Sequence, residues 1–228
     1  MDAPVSPSGF LLIDKPVGPT SHDVVDMVRR ILRTRKVGHA GTLDPFASGL
    51  LIIAVGAMTK QLSNFVGLDK AYEATLRFGA SSDTMDRTGT IEQKECAAIT
   101  QAHLETILSE FRGEISQVPP MYSAKKIGGQ KLYELAREGK VVERQPVRVT
   151  IHELEIVSFA WPVVVIRTRV SSGTYIRALA DDIGSAIGCG AYLEELRRTA
   201  IGPYRVERAV QPKDLTAADL FIDAASLN

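Results

Sequence analysis

The spacing of apolar positions changes several times along the chain, and each change marks an element. Phe10 to Ile13 form a short buried strand, which Asp14-Lys-Pro-Val-Gly-Pro19 ends with turn residues. Thr20-Ser-His-Asp23 then has the form of a capping box, and Val24, Val25, Val28, Ile31 and Leu32 share one helical face behind it. A glycine-rich loop, 38–49, leads into an apolar strand at Leu50 to Val55, and Lys60 to Phe65 read as helix. Tyr72, Ala74, Leu76 and Phe78 alternate with Glu73, Thr75 and Arg77, the pattern of a half-buried strand. Ser81 to Gly89 form a polar loop, with Thr90 and Ile91 pairing back as a short strand.

Thr100 caps a helix with Leu104, Ile107, Leu108 and Phe111 on one side, and Gly113 stops it. Residues 117–126 hold two prolines and are irregular; Lys131 to Glu138 make a short helix closed by Gly139. The whole of 117–146 reads as a basic insertion, long enough in a compact domain to carry function. Val147, Val149 and Ile151 alternate, a register break precedes Leu154 and Ile156, and Val163 to Val170 form a further strand. After the turn Ser171 to Tyr175 comes a helix with Ile176, Leu179, Ala180, Ile183 and Ile187 on one side and Gly188 past its end. Tyr192 to Arg198 are expected to be a short helix, Tyr204 to Val210 a last strand, and Lys213 to Asn228 a tail with room for a short helix. Strands outnumber helices and many neighbours are hairpin-connected. The pattern predicts an α+β fold with a large mixed, mostly antiparallel sheet flanked by helices.

Composition changes this picture little. A chain of 228 residues with 45% hydrophobic and 24% charged residues is that of a globular protein with a real core. Lys+Arg and Asp+Glu are both 27, so any basic surface must come from distribution. One such cluster exists: Arg29, Arg30, Arg33, Arg35 and Lys36, at a helix end. Part of it complements the helix dipole, and a phosphate-binding patch is the second reading. Cys96 and Cys189 lie far apart, and from their spacing neither a disulfide framework nor a zinc site is expected. Four scattered histidines give no expectation of a metal. Neither a signal peptide nor a membrane span is expected, so a cytoplasmic location is the default.

The chemically promising stretch is Gly38-His-Ala-Gly-Thr-Leu-Asp-Pro-Phe-Ala-Ser-Gly49. Its one acid, Asp44, sits among three glycines beside an apolar strand, where a carboxylate can be held rigidly and shielded from water. Asp-Pro also starts ordinary turns, and from this stretch alone that simpler reading stands ahead. His39, Asp44 and Ser48 lie too close in one loop to make a triad. A Walker A run, a dinucleotide fingerprint and a Gly-x-Ser-x-Gly elbow are all missing.

Several blocks, in order over residues 9–210, resemble the TruB family of tRNA pseudouridine synthases. They are Phe10 to Ser21, Lys36 to Gly49, Lys70-Ala-Tyr72, Phe78 to Asp86, Pro119 to Lys126, Ser172 to Arg177 and Leu196-Arg-Arg198. The resemblance implies a pseudouridine synthase fold over 9–212 with an RNA-contacting insertion at about 117–146. Around it lie a loose tail at 1–8 and a short tail at 213–228, without the further C-terminal RNA-binding domain that members often carry. It implies isomerisation of uridine to pseudouridine at position 55 in the TΨC loop of tRNA, without a cofactor or metal and by a monomer. Asp44 matches the catalytic aspartate, as nucleophile or base. Tyr72 matches the tyrosine that packs on the target base, and Arg177 the arginine that pairs with the catalytic carboxylate. Tyr175 and Leu196 match uridine-pocket residues, and His39 a histidine that contacts the flipped region. Read without the family, Tyr72, Tyr175 and Leu196 are core residues, Arg177 a solvated helix charge and His39 an ordinary loop residue.

A base must leave its stack before its sugar bond is reached, which calls for an apolar pocket and for cations along the backbone. Arg33, Lys36, Lys125 and Lys126 are the candidates for RNA binding. Two other readings stand beside the enzyme: an RNA-binding or tRNA-folding module without chemistry, and a synthase aimed at another RNA. The sequence departs from the family mildly, at Ala40-Gly-Thr42, Ser82 and Val170-Ser-Ser172.

Overall fold

In the computed structural model, residues 8–123, 125–140 and 142–221 are described. Of the expected tails, 1–7 and 222–228 lie outside the described residues, while the described part of the second holds short 3-10 turns at 212–214 and 217–219. In chain order the elements are β1 (Gly9–Lys15), α1 (Ser21–Ile31), β2 (Val37–Ala40), β3 (Ser48–Val55), α2 (Ser63–Val66), β4 (Lys70–Phe78), β5 (Ala80–Ser82) and β6 (Ile91–Gln93). They continue with α3 (Gln101–Ser109), β7 (Gly113–Gln117), β8 (Lys126–Ile127), β9 (Gln130–Lys131), α4 (Leu132–Arg137), β10 (Val147–Ala160), β11 (Val163–Val170), α5 (Ile176–Ile187), β12 (Ala191–Ile201) and β13 (Tyr204–Arg205). The chain forms two compact units, Met1–Tyr72 with Arg197–Asn228, and Glu73–Leu196.

In the first unit β1 and β3 pair antiparallel over their whole lengths, from Gly9 opposite Val55 to Lys15 opposite Gly49. Both strands are apolar at successive positions because both faces are covered. On one face Leu11, Ile13, Leu51, Ile53 and Val55 pack with Val24, Val25, Val28 and Leu32 of α1. On the other, Phe10, Leu12, Leu50, Ile52 and Ala54 pack with Phe65, Ile201, Tyr204 and Val206. Helix α1 starts where the capping box places it: Thr20 Oγ1 accepts from the Asp23 N–H, and the Asp23 carboxylate accepts from the Thr20 N–H. Strand β2 pairs with β3, and β13 with β12. The last residues of β12 run parallel to β3, with Arg197 beside Ser48 and Arg198 beside Gly49. This pair makes a mostly antiparallel sheet mixed, as the pattern predicted.

The second unit carries strands in the order β12, β4, β11, β10, β7. Strand β4 shows the expected alternation, with Ala74, Leu76 and Phe78 buried. The register break expected between Ile151 and Leu154 is present in the β10–β11 pair. Helix α5 buries Ile176, Leu179, Ala180 and Ile183 and stops at Gly188, whose φ of 88° is a left-handed C-cap.

Four expectations are corrected. Tyr192 to Arg198 are strand, not helix: Leu196, Arg198 and Ala200 point inward with period two, and strand neighbours on both sides outweigh helical propensity. The strand expected to run to Val210 ends at Arg205 in a 3-10 turn, 206–208. Residues expected as loop or helix stop pair instead as β2 and β7; the helix already ends at Ser109, capped by Glu110, and Gly113, with φ 88°, opens β7. Cys96 and Cys189 are joined in a disulfide, with Cα atoms 5.0 Å apart. Their separation of 93 residues hid this. The Gly79 N–H bonds the Gly190 carbonyl at 3.2 Å and the Lys94 N–H bonds the Gly79 carbonyl at 2.9 Å, which brings the two segments together.

Gly49 has φ 104°, and a Cβ there would lie 2.2 Å from the Arg198 carbonyl oxygen. Strain and collision both oppose any side chain at this strand contact. Gly49→Ala is expected to lower stability by more than about 3 kcal/mol, or to prevent soluble expression. Urea denaturation checks this, and an unchanged midpoint would show that β3 and β12 can move apart.

Candidate active site

Asp44 sits at the first position of a tight turn, its carbonyl accepting from the Ala47 N–H at 3.1 Å. The plain turn reading is therefore correct as geometry, yet far more than a turn fixes this backbone. Arg198, 2% exposed, reaches along the loop: Nη2 donates to the Gly41 carbonyl at 3.1 Å, Nη1 to Thr42 at 3.3 Å and Nε to Leu50 at 2.7 Å. Next in line, the Leu43 N–H donates to Ser21 Oγ at 2.8 Å, and the Ser21 hydroxyl donates back to the Leu43 carbonyl at 3.0 Å. The Pro45 carbonyl accepts from the Gly18 N–H at 2.8 Å. Residues 41, 42, 43 and 45 are thus each held by a neighbour distant in sequence, and the acid between them has its Cα placed without freedom to drift.

Two buried cations serve this bend. Lys15, 0% exposed, donates from Nζ to the Pro16 and Pro19 carbonyls, each at 2.9 Å. Burial pushes its ammonium down to about 8, the Asp44 charge acting in the opposite sense and Arg198 adding to the burial. Burial, with the charges of Arg198 and His22, also lowers His39, keeping its imidazole neutral. His39 lies on β2 opposite Ile53, not in a loop. Tyr72 is buried on β4, as its alternation predicts.

In the second unit, Arg177 is not a solvated charge. It is 5% exposed near the start of α5, with Nη1 donating to the Thr84 carbonyl at 2.8 Å and Nη2 to the Tyr122 carbonyl at 2.6 Å. Nη1 is also 3.5 Å from the carboxylate of Asp86, a buried residue that accepts from the Thr84 and Thr88 hydroxyls and the Thr88 N–H. Tyr175 is the half-buried cap residue of α5, and Leu196 is buried on β12.

Of the basic run, Arg29 is occupied by Asp26 at 2.8 Å and by the Val37 carbonyl, whereas Arg33, Arg35 and Lys36 are exposed. Lys125 is half-buried, and the side chain of Lys126 lies outside the described residues. Among the described residues there is no cluster of three or more His, Cys, Asp or Glu suited to a metal. No helix among them is long and apolar enough to cross a membrane.

Sequence reasoning assigned no role to Arg198, Ser21, Lys15 or Asp86. The signal for Arg198 was its place between Leu196 and Ala200 at strand spacing, which a helical reading of that stretch conceals.

The family model for the N-terminal domain of TruB family pseudouridylate synthases matches residues 29–176. That for the tRNA pseudouridylate synthase B C-terminal domain matches 177–227. The tRNA pseudouridine synthase B of Azoarcus sp. (strain BH72) is 50% identical, over 92% of this chain and 70% of that protein. The protein of the same name from Pseudomonas fluorescens (strain Pf0-1) is 45% identical, over 92% and 69%. A solved Cbf5–Nop10–Gar1 complex superposes with a TM-score of 0.73 at 32% identity, over 91% of this chain and 53% of that one. An H/ACA RNP bound to a substrate RNA containing 2'-deoxyuridine gives 0.69 at 29%, over 91% and 52%. The chain thus spans about half the length of these two solved chains. Fold and sequence together define a pseudouridine synthase, an isomerase. Within that class, the chain belongs to the TruB family.

Between its folded value of about 8 and its ordinary 10.5, the Lys15 proton is held by the unfolded chain and released by the folded one, so stability rises with pH across that window. Wild type is expected to gain on Lys15→Met by up to about 3 kcal/mol between the two ends. Urea melts of both proteins measure the gap, and a gap that does not change with pH would mean the ammonium is not shifted.

Proposed function

We propose that this enzyme converts uridine to pseudouridine in tRNA, at position 55 of the TΨC loop. The observation that carries the reading is the fixed bend around Asp44. Its carboxylate is set on a tightly held backbone, close enough to the buried Lys15 ammonium to act on it, within the stretch of the chain that the synthase family model matches. The relatives named tRNA pseudouridine synthase B support tRNA as the substrate.

The target nucleoside is swung out of its stack, since its N1–C1′ bond cannot be reached inside a folded loop. Asp44, as nucleophile or as base, starts cleavage of that bond. The free uracil turns and C5 bonds to C1′; the C5 proton is then lost and N1 ends protonated, so the product is an isomer and no outside reactant is consumed. Tyr72 packs on the base, and Tyr175 and Leu196 supply the apolar part of its pocket. Arg177 serves the carboxylate with a guanidinium already set by Thr84, Tyr122 and Asp86, so little ordering remains to be done on binding. The neutral His39 contacts the displaced region as a hydrogen-bonding group rather than as a charge. Exposed Arg33 and Lys36, with Lys125 and Lys126 of the insertion, take the phosphates.

Incubation with an unmodified tRNA transcript, followed by mass spectrometry of the digested nucleosides and mapping of the modified position, tests the reading. Asp44→Asn is expected to remove product while tRNA affinity stays within about threefold of wild type. Collapse of affinity in that variant would make Asp44 a structural residue, and product at another position would redirect the substrate assignment.

A further inference from the structure

Gln117 closes β7, and its side chain is fully enclosed at 0% exposure. Its Oε1 accepts from the Tyr175 backbone N–H at 2.8 Å, and its Nε2 donates to the Tyr175 carbonyl at 3.1 Å. The same carbonyl takes the first bond of α5, from the Leu179 N–H at 3.1 Å. A primary amide offers the donor and acceptor of a peptide group, so this side chain acts as a strand partner one residue long. Five residues further on, the Tyr122 carbonyl is held by Arg177. The segment 117–122 is therefore tied to the start of α5 at both ends, once at Tyr175 and once at Arg177. That segment is also the root of the expected RNA-contacting insertion, and Pro119 and Pro120 stiffen it.

We infer that Gln117 is a positioning residue for the isomerisation. It sets the backbone of Tyr175 and couples the root of the insertion to Tyr175 and Arg177. The inference rests on the reading that these two residues serve the uridine. Packing alone does not call for glutamine: methionine has similar volume, and β7 keeps its register with β10 through the backbone, Gln117 lying opposite Val147. What methionine removes is the amide pair, leaving the half-buried Tyr175 N–H without its acceptor. The segment then keeps its tie to α5 at Tyr122 but loses the one at Tyr175.

Two variants test this, each compared with wild type for thermal melting, tRNA affinity and single-turnover pseudouridine formation at saturating enzyme. Gln117→Met is expected to slow the single-turnover step about tenfold with tRNA affinity unchanged, as for a misplaced group rather than a lost contact. Gln117→Glu is isosteric. Its neutral carboxyl can both accept from the Tyr175 N–H and donate to the Tyr175 carbonyl, whereas the carboxylate can only accept. Burial raises such a carboxyl, so the rate relative to wild type is expected to recover as pH falls from about 8.5 to about 6. The charged and titratable side chains on the adjoining elements include Arg177, Asp181 and Asp182 on α5, Arg148, His152, Glu153 and Glu155 on β10, Glu114 on β7, and Arg144; their own titration is common to wild type and divides out of that ratio, while the Arg177 charge opposes the effect of burial on the new carboxyl. Wild-type rates in both variants at every pH would overturn the inference. So would a loss that follows melting temperature or affinity and shows no recovery at low pH. A wild-type protein that forms no pseudouridine on tRNA would instead remove the functional reading beneath it.

Discussion

The first unit depends on a buried guanidinium whose hydrogen bonds, among the described residues, all go to main-chain carbonyls. Arg198 gives three donors to three carbonyls, at Gly41, Thr42 and Leu50, from a strand that is enclosed on both sides. Taking such a cation out of water costs several kcal/mol unless its hydrogens are satisfied. Here they are satisfied by loop carbonyls that a bend of this shape would otherwise leave unpaired in the interior. Neither partner is stable alone: the loop needs the arginine, and the arginine needs the loop. Gly49 allows the strand contact that brings them together, because a side chain there would meet the Arg198 backbone. The bend that carries Asp44 is therefore rigid as a consequence of burial, and rigidity is what the role proposed for Asp44 requires.

The second unit solves a similar problem at the start of α5. Arg177 is again buried, and again main-chain carbonyls take its donors, with Asp86 supplying a nearby negative charge. Asp86 is held in turn by two threonine hydroxyls and an amide, so its orientation is fixed before any substrate arrives. Around both buried guanidiniums, of Arg198 and of Arg177, fixed peptide carbonyls take the place of water. Such surroundings need no reorganisation when charge develops during reaction.

Much of this was legible in the sequence where local signals and tertiary context agree. The capping box at Thr20 and Asp23, the alternation of β4 and the glycine cap of α5 are all decided within a few residues. Asp44 stood out because one acid lay among glycines beside an apolar strand, and family blocks then gave it a role. What stayed hidden depended on partners far away. Tyr192 to Arg198 carry helix-favouring residues, and only enclosure between strands makes them β12, which in turn conceals what Arg198 does. Gln117 looked like the start of an irregular, proline-broken stretch, because nothing nearby shows that its amide faces the backbone of residue 175. Cys96 and Cys189 meet through the turn at Gly190, a contact that spacing does not encode.

The central claim is that the guanidinium fork of Arg198 holds the Asp44 bend in its reactive shape. The most direct measurement is single-turnover pseudouridine formation by Arg198→Lys, after circular dichroism and melting have shown the variant folded. Lysine keeps the charge but can reach only part of the carbonyl set. The predicted result is a rate lower by about tenfold or more with tRNA affinity retained. A folded variant that turns over tRNA at the wild-type rate would contradict it.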